Sequence, residues 1–191
     1  MNTTLGLVGL IVLVALVLGV IWVARQKRRQ HARTQELREQ FGPEYERAVS
    51  VYGEQREAEH ELVARKARVE QLHIKSLSSE QSMRYARQWR DVQAQFVDDP
   101  EQAIAEADRL VVEVMQARGY PMVEFEQRAA DVSVDHPDVV EHYRAAHHIA
   151  VRSARAEADT EDLRQAMVHY RSLFDELIDA RATMEVRNEA A

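Results

Sequence analysis

The chain lacks cysteine entirely and is poor in the residues that interrupt helices. Among 191 residues there are 6 Gly and 4 Pro. The absence of Cys excludes a disulfide framework, a thiolate metal site and a cysteine nucleophile. The scarcity of Gly and Pro, together with a charged fraction of 30%, favours helices over a fold of strands and turns. We therefore expect an all-α protein.

Charge is missing from the first 24 residues, which contain no Asp, Glu, Lys or Arg. Residues 5–24 form an apolar run, and a helix of that length spans about 30 Å, the thickness of the hydrocarbon core of a bilayer. Trp22 lies near the end of this run, where its ring suits the membrane interface. The sequence predicts a transmembrane anchor at residues 1–24 that contacts membrane lipid through residues 5–24.

Basic residues follow the apolar run: Arg25, Lys27, Arg28, Arg29 and Arg33. No charged side chain precedes it. Because cationic flanks stay on the cytoplasmic side, we expect a single-pass protein of the cytoplasmic membrane, with its N-terminus outside and its C-terminal domain in the cytoplasm. The same five residues are expected at the membrane surface, where they attract anionic headgroups.

A cleaved signal peptide is the alternative interpretation of this segment, and it would place the domain outside. Such a peptide has a cationic first region, a shorter apolar core and a small-residue cleavage site. Here the first region is uncharged, the apolar core is too long, and the run ends in Val23-Ala24-Arg25-Gln26. An uncleaved anchor is therefore the favoured interpretation.

Residues 25–77 are rich in charge and are predicted to form a basic juxtamembrane segment and a helical stalk. Gly42-Pro43 should end the helix that leaves the membrane. Leu62 and Val69 are seven residues apart, but Arg65 occupies the intervening position of the stripe. Because heptads are not sustained, no coiled coil is predicted, although the stalk is open to self-association.

Helix signals sharpen in residues 78–180, where five amphipathic stripes are joined by short connections. Ser78 and Gln81 are spaced as a capping box, and Asp99, Pro100 and Gln102 repeat the pattern at the next helix. Short connections favour antiparallel neighbours and hence a compact helical bundle.

The remaining helix ends of the bundle also carry local signals. Gly119 and Pro121 should stop the second helix, a shorter helix is expected near residues 122–132, and another should open at Asp135-His136-Pro137. Asp159-Thr160 should cap the last helix. Residues 181–191 are polar and are predicted to form a disordered tail.

The sequence offers no motif for catalysis, for a cofactor or for a metal ion. Phosphate-binding glycine loops and the Gly-x-Ser-x-Gly elbow are missing. None of the 8 His residues lies three or four positions from another, the spacing that puts two ligands on one helix face. The single Glu57-x-x-His60 string is not the paired set that a di-iron bundle needs. We therefore predict no catalytic, cofactor-binding or metal-binding residues.

Two rigid corners, at residues 118–121 and 135–138, can bring four side chains together as a possible interaction patch: Arg118, Tyr120, His136 and Tyr143. The plainer interpretation is that this corner chemistry serves folding alone. A pocket among Trp89, Tyr120, Tyr143 and the nearby histidines would instead suit a helical enzyme or a small-ligand binder.

Net charge limits the class of partner. The chain has a net charge of −7, and all of this net charge comes from residues 25–191. An acidic domain argues against a nucleic-acid binder, which would normally present a basic face. We expect a membrane-tethered helical interaction module, a scaffold or adaptor, with protein partners or self-association. The alternatives are the helical enzyme or ligand binder and a mechanical spacer of the cell envelope.

Five segments of the soluble part occur in an order that resembles one group of proteins: WRDVQAQFVDDP (89–100), RGYP (118–121), DVSVDHP (131–137), YRAAH (143–147) and TEDLRQAMVHYRSLF (160–174). The chain resembles, over residues 36–178, a family of uncharacterised bacterial proteins with one N-terminal membrane helix and a soluble all-helical domain. The resemblance implies the anchor and the helical fold. It implies no activity and no site residue.

Overall fold

The protein is all-helical in the part of the chain that the structure describes. The structure, a computed structural model, describes the backbone of residues 2–179 and the side chains of residues 19, 21, 22 and 24–178. Over that range the chain forms eight helices and no strand: α1 (Asn2–Phe41), α2 (Pro43–Tyr52), α3 (Gln55–Glu70), α4 (Ser79–Gln95), α5 (Pro100–Arg118), α6 (Phe125–Asp135), α7 (Val140–Ser153) and α8 (Thr160–Asp179). The predicted all-α class is confirmed.

The chain divides into two units, residues 1–40 and residues 41–191. The first unit is the body of α1, a single uninterrupted helix. The predicted break after it is confirmed, because α1 ends at Phe41, Gly42 has a φ of +49° and Pro43 is the first residue of α2. Most side chains of the predicted span at residues 5–24 lie outside the described residues. Within the described residues, no helix combines the length and the apolar character that crossing a bilayer requires.

The structure differs from the predicted stalk at α2 and α3. Residues 43–70 do not stand apart from the bundle, since α2 packs on α3 and α7, and α3 packs on α6. The buried side of α3 carries Ala58, Leu62, Arg65 and Val69. Arg65, which interrupts the apolar stripe in the sequence, is buried against polar partners. The charge of this segment therefore belongs partly to the interior, and the stalk assigned to residues 25–77 is replaced by the end of α1, by α2 and α3, and by the connection to α4.

The five predicted bundle helices are present as α4 to α8. Ser78 forms the expected capping box, accepting a hydrogen bond from the Gln81 backbone while the Gln81 side chain accepts from the Ser78 backbone. Asp99 accepts from the Gln102 backbone at 3.0 Å, but the Gln102 side chain donates to Glu106 instead of completing a second box.

Two helix positions differ from the sequence expectation. The helix expected near residues 122–132 begins three residues later, at Phe125, and the one expected from Asp135 begins at Val140. The predicted end of α5 is confirmed, because Gly119 adopts a φ of +104° and its backbone N–H donates a hydrogen bond to a carbonyl in the last turn of the helix. The predicted Asp159 cap is also present, accepting from the Asp162 backbone at 2.8 Å. The tail predicted at residues 181–191 lies outside the described residues.

The core is built around α5, which packs on α4, α7 and α8. Ile104, Val111, Val114 and Met115 of α5 are buried, and each large aliphatic side chain contributes roughly 1.5–3 kcal/mol through its removal from water. The Trp89 ring stacks on Phe174 with centroids 4.6 Å apart. Trp89 is therefore a core residue that ties α4 to α8.

Candidate functional site

A groove lies between α2, α3, α6 and α7, within the unit of residues 41–191. Its volume is about 420 Å³. The lining is mixed in charge, with three Arg and three Glu around small apolar residues: Glu44, Arg47, Ala48, Val51, Tyr52, Glu61, Arg65, Glu126, Gln127, Ala130 and Arg144. Four helices that are distant in sequence thus contribute to one depression.

Glu44 forms the base of this groove and is almost completely buried. Its carboxylate accepts hydrogen bonds from Arg65 Nη1 at 3.3 Å and from Arg144 Nε at 3.1 Å. Arg65 Nη1 also donates to the Ser133 hydroxyl at 3.1 Å. A carboxylate in this position provides the nearby negative charge that the buried Arg65 guanidinium needs, and it shares Arg144 with Glu126. The ion pair therefore locks α2, α3, α6 and α7 together beneath the groove.

Polar atoms remain unsatisfied beside this ion pair. Arg65 Nε is buried without a hydrogen-bond partner among the described residues, and Glu61 Oε1 lies 4.0 Å from it. Asp131 is held by Arg68 Nε and by Gln127, both at 2.9 Å and both on Oδ1, so that Oδ2 is left without a partner in the same range. Buried polar atoms of this kind are uncommon in folded proteins.

The rim of the groove combines apolar and charged side chains. Val51 is 65% exposed and Tyr52 is 41% exposed. Glu126 is a largely exposed carboxylate that pairs with Arg144 and also lies 3.6 Å from Arg47 Nη2. The rim thus has an apolar edge beside ion pairs that include the exposed Glu126.

The four residues of the predicted interaction patch are all buried: Arg118, Tyr120, His136 and Tyr143. They cannot form an exposed patch, and this expectation is corrected. The physical reason is that these side chains point into the interior, where Arg118 contacts His136 while Tyr120 and Tyr143 bond to Asp135 and Arg128. Trp89, Tyr120 and Tyr143, around which the sequence placed the alternative pocket, are also buried.

Three of the predicted residues do cluster. Arg118 Nη1 lies 2.8 Å from His136 Nε2, and the Arg118 guanidinium lies over the Tyr120 ring. His136 Nδ1 is 3.1 Å from Glu176. Arg118 always carries its protons, so His136 Nε2 must accept and Nδ1 carries the hydrogen that is donated to Glu176. Burial, and then the Arg118 charge, lower the pKa of His136 despite the opposing effect of Glu176.

Tyr143 belongs to a separate network. Its hydroxyl accepts a hydrogen bond from Arg128 Nε at 2.8 Å, and burial raises the pKa of Tyr143 to about 12. Nearby, Tyr170 donates to Asp108 at 2.7 Å, and His147 lies 3.6 Å from the same carboxylate. Burial raises the pKa of Asp108, but these two neighbours outweigh it and the pKa lies below its usual value. The network ties α5, α6, α7 and α8 together.

The predicted basic cluster lies on α1 and is exposed at every position: Arg25, Lys27, Arg28, Arg29 and Arg33. Trp22 precedes it on the same helix and is 65% exposed. An exposed apolar ring thus precedes five accessible cations on one helix.

In the part of the chain described, no group of three or more His, Asp or Glu side chains is placed to hold a metal ion. Two histidines do meet, because His142 Nδ1 lies 2.9 Å from His169 Nδ1. This pair joins α7 to α8, and a search for ligands on one helix could not find it. Each ring has to serve as donor or acceptor to the other, which makes the pair a hydrogen bond between helices.

The groove itself was missed by the sequence analysis. One signal was present, namely Arg65 in the apolar stripe of α3 between Leu62 and Val69. A buried Arg requires an acidic partner. Nothing local identifies Glu44 and Arg144, which are 100 residues apart in the chain, as members of the same site.

Comparisons with protein-family models, with curated proteins and with solved structures find no match for this chain.

Proposed function

We propose that this protein is a membrane-tethered helical interaction module, a scaffold or adaptor at the cytoplasmic face of the cytoplasmic membrane. The observation that carries the proposal is α1, one unbroken helix that contains the uncharged run of residues 5–24 and continues into exposed cations. Twenty helical residues extend about 30 Å, enough to cross the hydrocarbon core. Exposed Trp22 supports an interface at that point.

The orientation follows from the positive-inside rule. Arg25, Lys27, Arg28, Arg29 and Arg33 all lie after the uncharged run, and this asymmetry favours a cytoplasmic location for residues 25–191. Tethering raises the concentration of the helical bundle around membrane-bound partners without any new contact. The groove over Glu44, with Val51 and Tyr52 on its rim, is the surface that we propose for those partners.

Extraction of membranes at alkaline pH tests the tether. We expect the full chain to stay with the membrane pellet. A double variant, Leu13→Arg with Leu16→Arg, should release it, because each Arg at the centre of a span costs roughly 2.5–3.5 kcal/mol. A full chain that leaves the membrane with the peripheral proteins would contradict the tether.

Topology can be measured with single cysteines, since the chain has none of its own. A membrane-impermeant maleimide added to intact cells should label Thr3→Cys. The exposed position Val97, as Val97→Cys, should react only after the membrane is opened. Labelling of Val97→Cys in intact cells would overturn the proposed orientation.

Photo-crosslinking tests the interaction surface. A photoreactive residue at Val51, on the groove rim, should give discrete adducts in living cells. The same residue at Val97, which is 84% exposed and does not line the groove, is the matched control. Identical adducts from both positions, or none from Val51, would remove the groove from the proposal.

A small-ligand binder is the second candidate, favoured by the groove volume of about 420 Å³, which falls in the usual range for ligand pockets. Thermal unfolding with fractionated metabolites tests it. A stabilising fraction should lose its effect in Arg47→Ala, which alters the rim and removes the 3.7 Å contact of Arg47 Nε with Glu44 but keeps the hydrogen bond from Arg65 to Glu44. A protein that no fraction stabilises would leave protein binding as the role of the groove.

A further inference from the structure

We infer that one face of α1, formed by Trp22, Arg25, Arg29 and Arg33, binds the headgroups of anionic phospholipids. The inference rests on the proposed membrane tether and adds a lipid class to it. All four side chains are exposed on one continuous helix, and the chain reaches them directly from its uncharged run. We call these four residues the arginine face.

Helical geometry places these residues together. At about 100° per residue, Arg25, Arg29 and Arg33 follow one another at intervals of four and drift by only about 40° at each step. Trp22 precedes Arg25 by three positions and lies on the same side. Lys27 is rotated by about 200° from Arg25 and therefore lies on the opposite side of α1. Arg28 lies about 60° from Arg25, at the edge of this face, so that Lys27 is the one cation of the five-residue basic cluster on the opposite side.

Depth along the helix agrees with the headgroup layer. With a rise of about 1.5 Å per residue, Arg25 lies about 4.5 Å beyond Trp22 and Arg29 about 10 Å beyond it. The polar layer on each side of a bilayer is roughly 5–8 Å thick. If the Trp22 ring marks the inner edge of that layer, Arg25 lies within it and the long Arg29 side chain reaches back to it. Arg33 then acts through the screened surface potential, which extends about 10 Å.

Charge complementarity selects an anionic lipid as the occupant. Residues 1–40 contain six Lys or Arg and two Glu, a net charge of +4, whereas residues 41–191 account for −11 of the total of −7. An acidic bundle gains nothing from an anionic surface, so attraction must come from α1. Arginine suits a phosphodiester because its planar guanidinium donates two parallel hydrogen bonds, a geometry that lysine lacks.

Fluorescence quenching tests the lipid preference on the full chain. The protein is reconstituted into bilayers of phosphatidylcholine or phosphatidylglycerol whose acyl chains are brominated. Quenching of Trp22 fluorescence reports which lipid lies beside it, while Trp89 is buried in the bundle core and its fluorescence is not quenched. Competition between the two lipids then gives the relative affinity. We expect phosphatidylglycerol to be preferred, and the preference to shrink in high salt.

Matched variants locate the preference on α1. Arg25→Gln and Arg29→Gln should each lower the preference for phosphatidylglycerol by up to about fivefold, the equivalent of about 1 kcal/mol for a basic residue near the surface. Lys27→Gln removes the same charge at a similar depth from the opposite side and should change it much less. An equal loss in all three variants would mean diffuse attraction and would overturn the arginine face.

The outcomes also separate this inference from the tether. Strong Trp22 quenching in both lipids with no preference would overturn the lipid inference and leave the tether standing. Absence of quenching in both bilayers would show that α1 does not insert, and both proposals would then fail.

Discussion

The negative charge of Glu44 is needed for the stability of the bundle. Replacement of Glu44 by Gln keeps the size of the side chain but leaves the buried Arg65 with only the distant carboxylate of Glu61, and it removes one of the two carboxylate partners of Arg144. Removal of one partner from a buried ion pair costs about 3–5 kcal/mol. We expect Glu44→Gln to lower the free energy of unfolding by that amount, measured by urea denaturation of the full chain in detergent.

Glu61 provides the comparison for that measurement. It also faces Arg65, but at 4.0 Å and with a carboxylate that solvent reaches. Pairs of this kind contribute at most about 1 kcal/mol. Equal losses in Glu61→Gln and Glu44→Gln would show that the burial of Glu44 has no special energetic role.

His136 makes stability depend on pH. Burial and the neighbouring Arg118 lower its pKa in the folded protein below the ordinary value of 6.5. As the pH falls below 6.5, the unfolded chain takes up a proton that the folded protein resists, so the free energy of unfolding should decline. The stabilisation is complete above the unfolded pKa and is lost as the pH falls towards the folded one. Urea midpoints at about pH 7.5 and about pH 5.5 measure the decline.

Two glutamine variants assign that pH dependence. His136→Gln keeps an acceptor for Arg118 and a donor for Glu176 but does not titrate, so the difference between the two midpoints should become smaller. His148→Gln changes an exposed ring and should retain the full difference. A difference that is unchanged in His136→Gln would place the sensitivity elsewhere.

The turn after α5 depends on Gly119. Its φ is +104°, and a Cβ at this position would lie 2.7 Å from the backbone oxygen of His73. The adjoining carbonyl of Arg118 accepts a hydrogen bond from the Lys75 backbone at 2.8 Å, so the neighbouring segment cannot simply move away. Gly119→Ala should therefore cost at least about 2 kcal/mol, from backbone strain and steric overlap together. Thermal or urea unfolding of the full chain measures it.

Gly53 separates these two contributions. It ends α2 with a φ of +76°, but a Cβ there would meet nothing within 4 Å. Gly53→Ala should lower the free energy of unfolding only through the strained backbone conformation, by roughly 1–2 kcal/mol. If both glycine variants lose the same stability, the close approach to His73 does not matter.

Helix ends were predictable because their chemistry is local. Ser78 with Gln81, Asp99 before Pro100, and Gly119 all act within a few residues, and the structure uses each of them. The assignment of residues 43–70 to a stalk was wrong because its reason is not local. Glu44 pairs with Arg144, and Arg65 bonds to Ser133, across 100 and 68 positions. A sequence shows the charges of such pairs without showing which of them become buried together.

The same limit applies to the candidate site. The basic cluster of α1 could be predicted, since adjacent cations on one helix need no tertiary contact to remain exposed. The patch of Arg118, Tyr120, His136 and Tyr143 could not be judged, because polar corner residues occur both at surfaces and in buried networks. The groove depends on four helices, which only the packed bundle brings together.

At the scale of the whole molecule, charge and packing divide the chain at the same place. Residues 41–191 have a net charge of −11, whereas residues 1–40 have a net charge of +4. The apolar core from Leu77 to Leu177, the Glu44 ion pair and the network around Asp108 all lie within residues 41–191. This unit thus holds a core and buried ion pairs of its own, together with a charge that favours solubility.

We therefore expect residues 41–191, expressed without α1, to fold in buffer that contains no detergent. Circular dichroism should show a helical protein, and urea should unfold it in one cooperative transition, as is usual for a domain of this size. Gly119→Ala in the shortened chain should lower the urea midpoint as it does in the full chain, which would show that the same packing is being measured. Gradual unfolding without a midpoint, or a shortened chain that is insensitive to Gly119→Ala, would mean that the bundle requires α1 for its structure and does not stand as a separate unit.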